Sequence, residues 1–173
     1  MEWPGRNARE SFEISGFVEA YTRLPGSRHL SIISKGDKPD YVVQVVSTGQ
    51  ELGVELTAVY MDDRSVPDVH MIDGDPPEGL VEIPYNKEQL AKYEARLISA
   101  IRDKIGKARR CYDTSRPLIL AIYVNEYVGI YLRKPELDSI VARHELFFND
   151  MAPFSEVVFW ALPNGGIFRV KPS

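Results

Sequence analysis

Apolar residues recur at helical spacing from about Arg9 to Tyr21, where Phe12, Ile14, Phe17, Val18 and Tyr21 alternate with Glu10, Glu13 and Glu19. Leu24-Pro25-Gly26 ends that helix, because proline cannot continue it and glycine accepts the positive φ of a helix exit. Leu30 to Ser34 is a short strand candidate, and Lys35 to Pro39 is turn chemistry. Tyr41 to Val46 is rich in β-branched residues, and Gly53 to Tyr60 returns as a third strand after a loop of hairpin length. The pattern predicts one helix followed by a three-stranded meander.

From Asp62 to Tyr85 the character changes, with Pro67, Pro76, Pro77, Pro84, Gly74 and Gly79 set among seven acidic residues. Such a stretch should be a long irregular surface excursion. The longest helix is then expected from Lys87 to Arg110. Its Leu90, Glu94, Leu97, Ile101, Ile105 and Ala108 lie within roughly 40° of one direction at 100° per residue, which is one buried stripe. Leu118 to Val124 is almost wholly apolar, the mark of a strand covered on both faces. A further helix from Pro135 to Asn149, a strand from Glu156 to Leu162, a turn at Pro163 to Gly166 and a short strand at Ile167 to Val170 complete the order. A right-handed crossover through the long helix should bring the Leu118 strand into the sheet parallel to a neighbour. The expected fold class is therefore α/β, one domain of order α-β-β-β-α-β-α-β with a mixed central sheet flanked by helices.

Composition narrows the partners more than the fold. The chain has 173 residues, 44% of them hydrophobic and 27% charged, which excludes wholesale disorder. The longest apolar run, Pro117 to Val124, is too short for a membrane helix, and Met1 to Arg6 lacks the apolar core of a signal peptide. A cytoplasmic protein without a membrane partner is expected. A lone cysteine, Cys111, excludes a disulfide framework and a zinc site of paired cysteines. Twenty-one basic residues against 25 acidic ones give a net charge of −4, so bulk charge does not advertise nucleic acid.

Candidate chemistry gathers on the meander. Pro39-Asp40 opens its second strand, while Glu55 and Thr57 stand two apart on the third and project from one face. Paired across the hairpin, Asp40 and Glu55 approach closely enough to share a divalent ion, with a main-chain carbonyl and waters completing the oxygen shell that Mg²⁺ prefers. Two carboxylates this close repel, so at least one should titrate high without a cation. A carboxylate flanked by Val54, Leu56, Ala58 and Val59 is costly to bury unless something binds it, and an internal salt bridge is the rival explanation. Glu94, on the apolar stripe, raises the same question. His70 with Asp73 and Asp75 sits in the proline-rich loop and is a poor metal site there. His29 and His144 are isolated, and no phosphate-binding glycine loop or Ser/His/Asp order is present.

The run Pro39-Asp40, fourteen residues, then Glu55-Leu56-Thr57 resembles the motif of the PD-(D/E)XK nuclease superfamily, the restriction-endonuclease-like fold. The resemblance spans roughly Glu10 to Phe168, since that family's core is also α-β-β-β-α-β. It implies Mg²⁺- or Mn²⁺-dependent phosphodiester hydrolysis of DNA, with Asp40, Glu55 and the Leu56 carbonyl as metal ligands. It also implies a first-helix glutamate at the metal, for which Glu13 and Glu10 are both open. One departure matters: Thr57 stands where the family usually places lysine. Some members supply that lysine from the following helix, and Lys104, about 60° from the centre of the buried stripe, is positioned to reach over the sheet. That substitution requires its ammonium within roughly 10 Å of the Glu55 carboxylate. Gln89 and Tyr93 are similar to the Gln-x-x-x-Tyr signature of the RecB-like branch, whose side chains support the site. Arg102, Lys107, Arg109 and Arg110 form the densest positive patch and the first choice for phosphate contact, or else a solvated helix end favoured by the helix dipole. The alternative is the same fold with a decayed site, serving as a binding module for a protein partner. A homodimer stays open under both.

Overall fold

The computed structural model describes residues 6–59, 87–124, 134–162 and 166–170. The acidic stretch 62–85, with His70, Asp73 and Asp75, lies outside them. Helix α1 (Arg6–Tyr21) precedes strands β1 (Leu30–Lys35), β2 (Tyr41–Val45) and β3 (Glu51–Val59). Helix α2 (Lys87–Cys111), β4 (Leu118–Val124), α3 (Lys134–Arg143), α4 (Glu145–Phe148), β5 (Phe154–Leu162) and β6 (Gly166–Val170) follow.

The six strands form one mixed open sheet in sequential order. β1, β2 and β3 run antiparallel, β3, β4 and β5 are parallel, and β6 turns back antiparallel on β5. The parallel pairing of β3 with β4 is the one expected of a crossover through the long helix. All seven residues of β4 are buried, as its unbroken apolar run implies for a strand with neighbours on both sides and cover on both faces. β1 stands at an edge and buries only Leu30.

Two apolar layers sandwich the sheet. Leu97, Ile101, Ile105 and Ala108 of α2 pack with Leu137 and Ile140 of α3 on Leu118, Leu120, Ile122, Val157 and Phe159. On the other face Ile14, Phe17 and Tyr21 of α1 cover Val43, Val54, Leu56, Ile119, Ala121 and Trp160. Gly16 permits that approach, because a Cβ there would stand 2.9 Å from the Trp160 indole. Phe12, in phase with the helical pattern, is nevertheless 42% exposed. Alternate residues of β3 thus face opposite layers, with Glu55 and Val59 toward α2, and Val54 and Leu56 toward α1.

One expected element differs. The helix anticipated over 135–149 is interrupted at His144, whose backbone leaves helical geometry at φ −116° and ψ 30°. No glycine or proline marks the break. Its cause is tertiary: Glu94 of α2 accepts from Arg143 Nη2 at 2.6 Å and pairs with His144 Nε2 at 2.8 Å. Glu94 is therefore a clamp between α2 and α3, and its hydrogen bond from Arg143 holds its carboxyl below the usual range.

Candidate functional site

The β2–β3 register places the acids. Tyr41 pairs with Val54, so one step further along the antiparallel ladder Asp40 faces Glu55. Gly53 makes room for this arrangement: a Cβ there would lie 2.6 Å from Pro39 Cγ and 2.6 Å from Leu118 Cδ2. Where β2 ends, side chains take over from the main-chain ladder. The Leu56 N–H donates to Asp40 Oδ2 at 2.9 Å, and the Asp40 N–H donates to Glu55 Oε2 at 3.3 Å. The two carboxylates thereby satisfy each other's backbone neighbours.

Glu55 is only 2% exposed, and the groups around it explain how the charge is tolerated. Lys104 of α2 donates to Glu55 Oε1 and, at 3.0 Å, to the Leu56 carbonyl. The Tyr112 hydroxyl donates to the same Oε1 at 2.5 Å. Lys104 stands on the flank of the α2 stripe, which is why its stem runs over the sheet to β3 rather than into solvent. Its ammonium is in direct contact with Glu55, well inside the reach that the displaced-lysine arrangement requires.

Burial, reinforced by the charge of Glu55, pushes the Asp40 carboxyl up to about 6. The Leu56 N–H and the Lys104 ammonium oppose that rise, and Glu10 adds to it. The high titration expected of one carboxylate falls on Asp40. Burial first, then the hydrogen bond to Glu55, keeps the Tyr112 hydroxyl protonated far above its ordinary range. Glu10 of α1 also pairs with Lys35 of β1 at 2.6 Å. Glu13 is buried on the same helix. Thr57 is half-buried on β3, two residues beyond Glu55.

The remaining candidates are scattered. Tyr93 is buried, and its hydroxyl donates at 3.3 Å to the main-chain oxygen of Val59 at the end of β3. The Gln89 side chain lies outside the described residues. Arg102, Lys107, Arg109 and Arg110 of the basic cluster are all exposed. Arg109 is committed to the segment before β5, donating to Ala152 O at 2.8 Å and to Asp150 at 2.9 Å. The Arg102 guanidinium lies over the Phe147 ring, 5.6 Å from its centroid.

Tyr112 escaped the sequence reading although a signal existed. It continues the α2 stripe four residues past Ala108, roughly 20° from the stripe centre. Its N–H still donates to Ala108 O, at 3.3 Å. Among the described residues, no group of three or more His, Cys, Asp and Glu side chains is gathered for a metal ion. Likewise among them, no helix is long and apolar enough to cross a membrane. The chain matches no protein-family model, and neither curated proteins nor solved structures return a match.

Proposed function

We propose that the chain is a divalent-metal-dependent nuclease of the PD-(D/E)XK type, acting on DNA through Asp40, Glu55 and a lysine delivered by the following helix. The observation that carries this reading is the Lys104 ammonium resting on Glu55 and on the Leu56 carbonyl. Its position supplies the cation that Thr57 cannot. The order of elements from α1 to β4 supports the restriction-endonuclease-like identity of the core.

The donor set fits a hard cation. Two carboxylates and one main-chain carbonyl present oxygen only, and waters complete such a shell for Mg²⁺ or Mn²⁺. Burial, followed by the charge of Glu55, raises the Asp40 carboxyl, and a cation bound between the two would favour its ionised form. When bound, the metal polarises the phosphate and lowers the pKa of an attacking water. Hydrolysis then joins the water oxygen to phosphorus and breaks one phosphorus–oxygen ester bond, the water losing a proton and the leaving oxygen gaining one. Asp40, Glu55 and the Leu56 carbonyl hold the cation in this reading. Lys104 stabilises charge beside the attacking water, with Thr57 two residues beyond Glu55 on the same strand face. Of the exposed cations of α2, Arg109 is tied to Asp150 and Arg102 lies over Phe147, and Lys107 and Arg110 are the first choice to meet the DNA backbone.

A second reading has its own support. Glu55 is already satisfied by Lys104, Tyr112 and the Asp40 N–H, which suffices for a structural ion pair inside a decayed, protein-binding module. Calorimetric titration with Mn²⁺ separates the two. A nuclease site gives saturable heat that Glu55→Gln abolishes, whereas a decayed site gives none.

A further inference from the structure

We propose that Lys104 is a tethered stand-in for the metal: its ammonium occupies the cation position, and divalent binding displaces it. The inference rests on the metal-site reading above and deepens it. The two atoms that Lys104 holds, Glu55 Oε1 and the Leu56 carbonyl oxygen, belong to two of the three residues assigned to the metal, the third being Asp40. One set of lone pairs cannot serve two cations, and positive charges this close repel.

The surroundings suit an exchange. Glu55 is buried, so it needs a cation at all times, and the lysine neutralises it when no metal is bound. The Lys104 side chain is 22% exposed, which leaves its four-carbon stem a way out toward solvent. Tyr112 and the Asp40 N–H keep Glu55 oriented while the cation changes. Lysine and metal therefore compete for one position, and the ammonium becomes available to a phosphate only once the metal has taken its place. The order is metal first, lysine second.

The test compares Mn²⁺ affinity, by calorimetry and by the electron paramagnetic resonance signal of free Mn²⁺, in the wild type, Lys104→Met and Lys104→Gln. The glutamine variant keeps a donor for the Leu56 carbonyl and guards against a methionine variant that does not fold. Removing the competitor should tighten Mn²⁺ binding on the order of tenfold or more. Mn²⁺ should also raise the melting temperature of the variants more than that of the wild type. Equal or weaker binding in both variants overturns the exchange while leaving the metal site standing. Absence of binding in every protein overturns the metal site, and the exchange with it.

Discussion

Removing Lys104 should expose what the buried carboxylate costs. In Lys104→Ala, Glu55, 2% exposed in the wild type, is left with one hydroxyl and one N–H as partners and no counter-charge. Breaking a buried ion pair from one side costs about 3–5 kcal/mol, and the partly exposed lysine places this case near the lower end. With a urea m-value of about 2 kcal/mol/M, a loss of about 3 kcal/mol moves the midpoint down by about 1.5 M. Glu55→Gln alone should cost about 1 kcal/mol, since the freed ammonium can turn to water. The double variant, with neither charge, should lose about 2 kcal/mol, so the cycle returns a coupling of about 2 kcal/mol. Urea unfolding of the four proteins in metal-chelating buffer measures this. Additive losses, or a Lys104→Ala change below about 0.5 kcal/mol, would refute the claim that the lysine neutralises Glu55.

The raised Asp40 carboxyl makes the folded state bind a proton more tightly than the unfolded chain, so its contribution to stability is full below the unfolded value of 3.8 and is lost as pH rises to about 6. Unfolding free energies of wild type and Asp40→Asn across that window should diverge with this sign, and parallel curves would reject it. Gly53→Ala should cost about 2–3 kcal/mol by driving a methyl into Pro39 and Leu118, and should speed hydrogen exchange at the Leu56 N–H as Asp40 shifts. Arg109→Ala should lower stability by freeing the segment around Asp150 and Ala152. Lys107→Ala should leave stability unchanged and weaken DNA binding in a salt-dependent way, as fluorescence anisotropy at two salt concentrations would show.

What the chain discloses before folding follows its periodicities. The apolar run of β4 and the stripe of α2 announce a covered central strand and its covering helix, because burial on two faces and on one face leave different repeats. The Asp40–Glu55 pairing was legible for the same reason, since a short hairpin loop leaves little freedom of register. The reach of Lys104 could be read from helical phase, 49 residues away from its partner. Other contacts between distant segments left no local mark. The break at His144 has no glycine or proline to signal it, and its partner Glu94 lies 50 residues upstream. Arg109 looks like its exposed neighbours until Asp150 and Ala152 arrive beside it. Tyr112 was in phase with the stripe but lay beyond the expected helix end, so its role emerged only with the fold.

We propose that Asp40, Glu55 and Lys104 form a working metal-dependent nuclease site. Incubating purified protein with DNA in Mg²⁺ or Mn²⁺, beside the Glu55→Gln variant and a chelated control, tests it most directly. Cleavage by the wild type is expected in the presence of the divalent ion, and none by the variant or under chelation. Intact DNA with the wild type in both metals, or equal cleavage by Glu55→Gln, would contradict it.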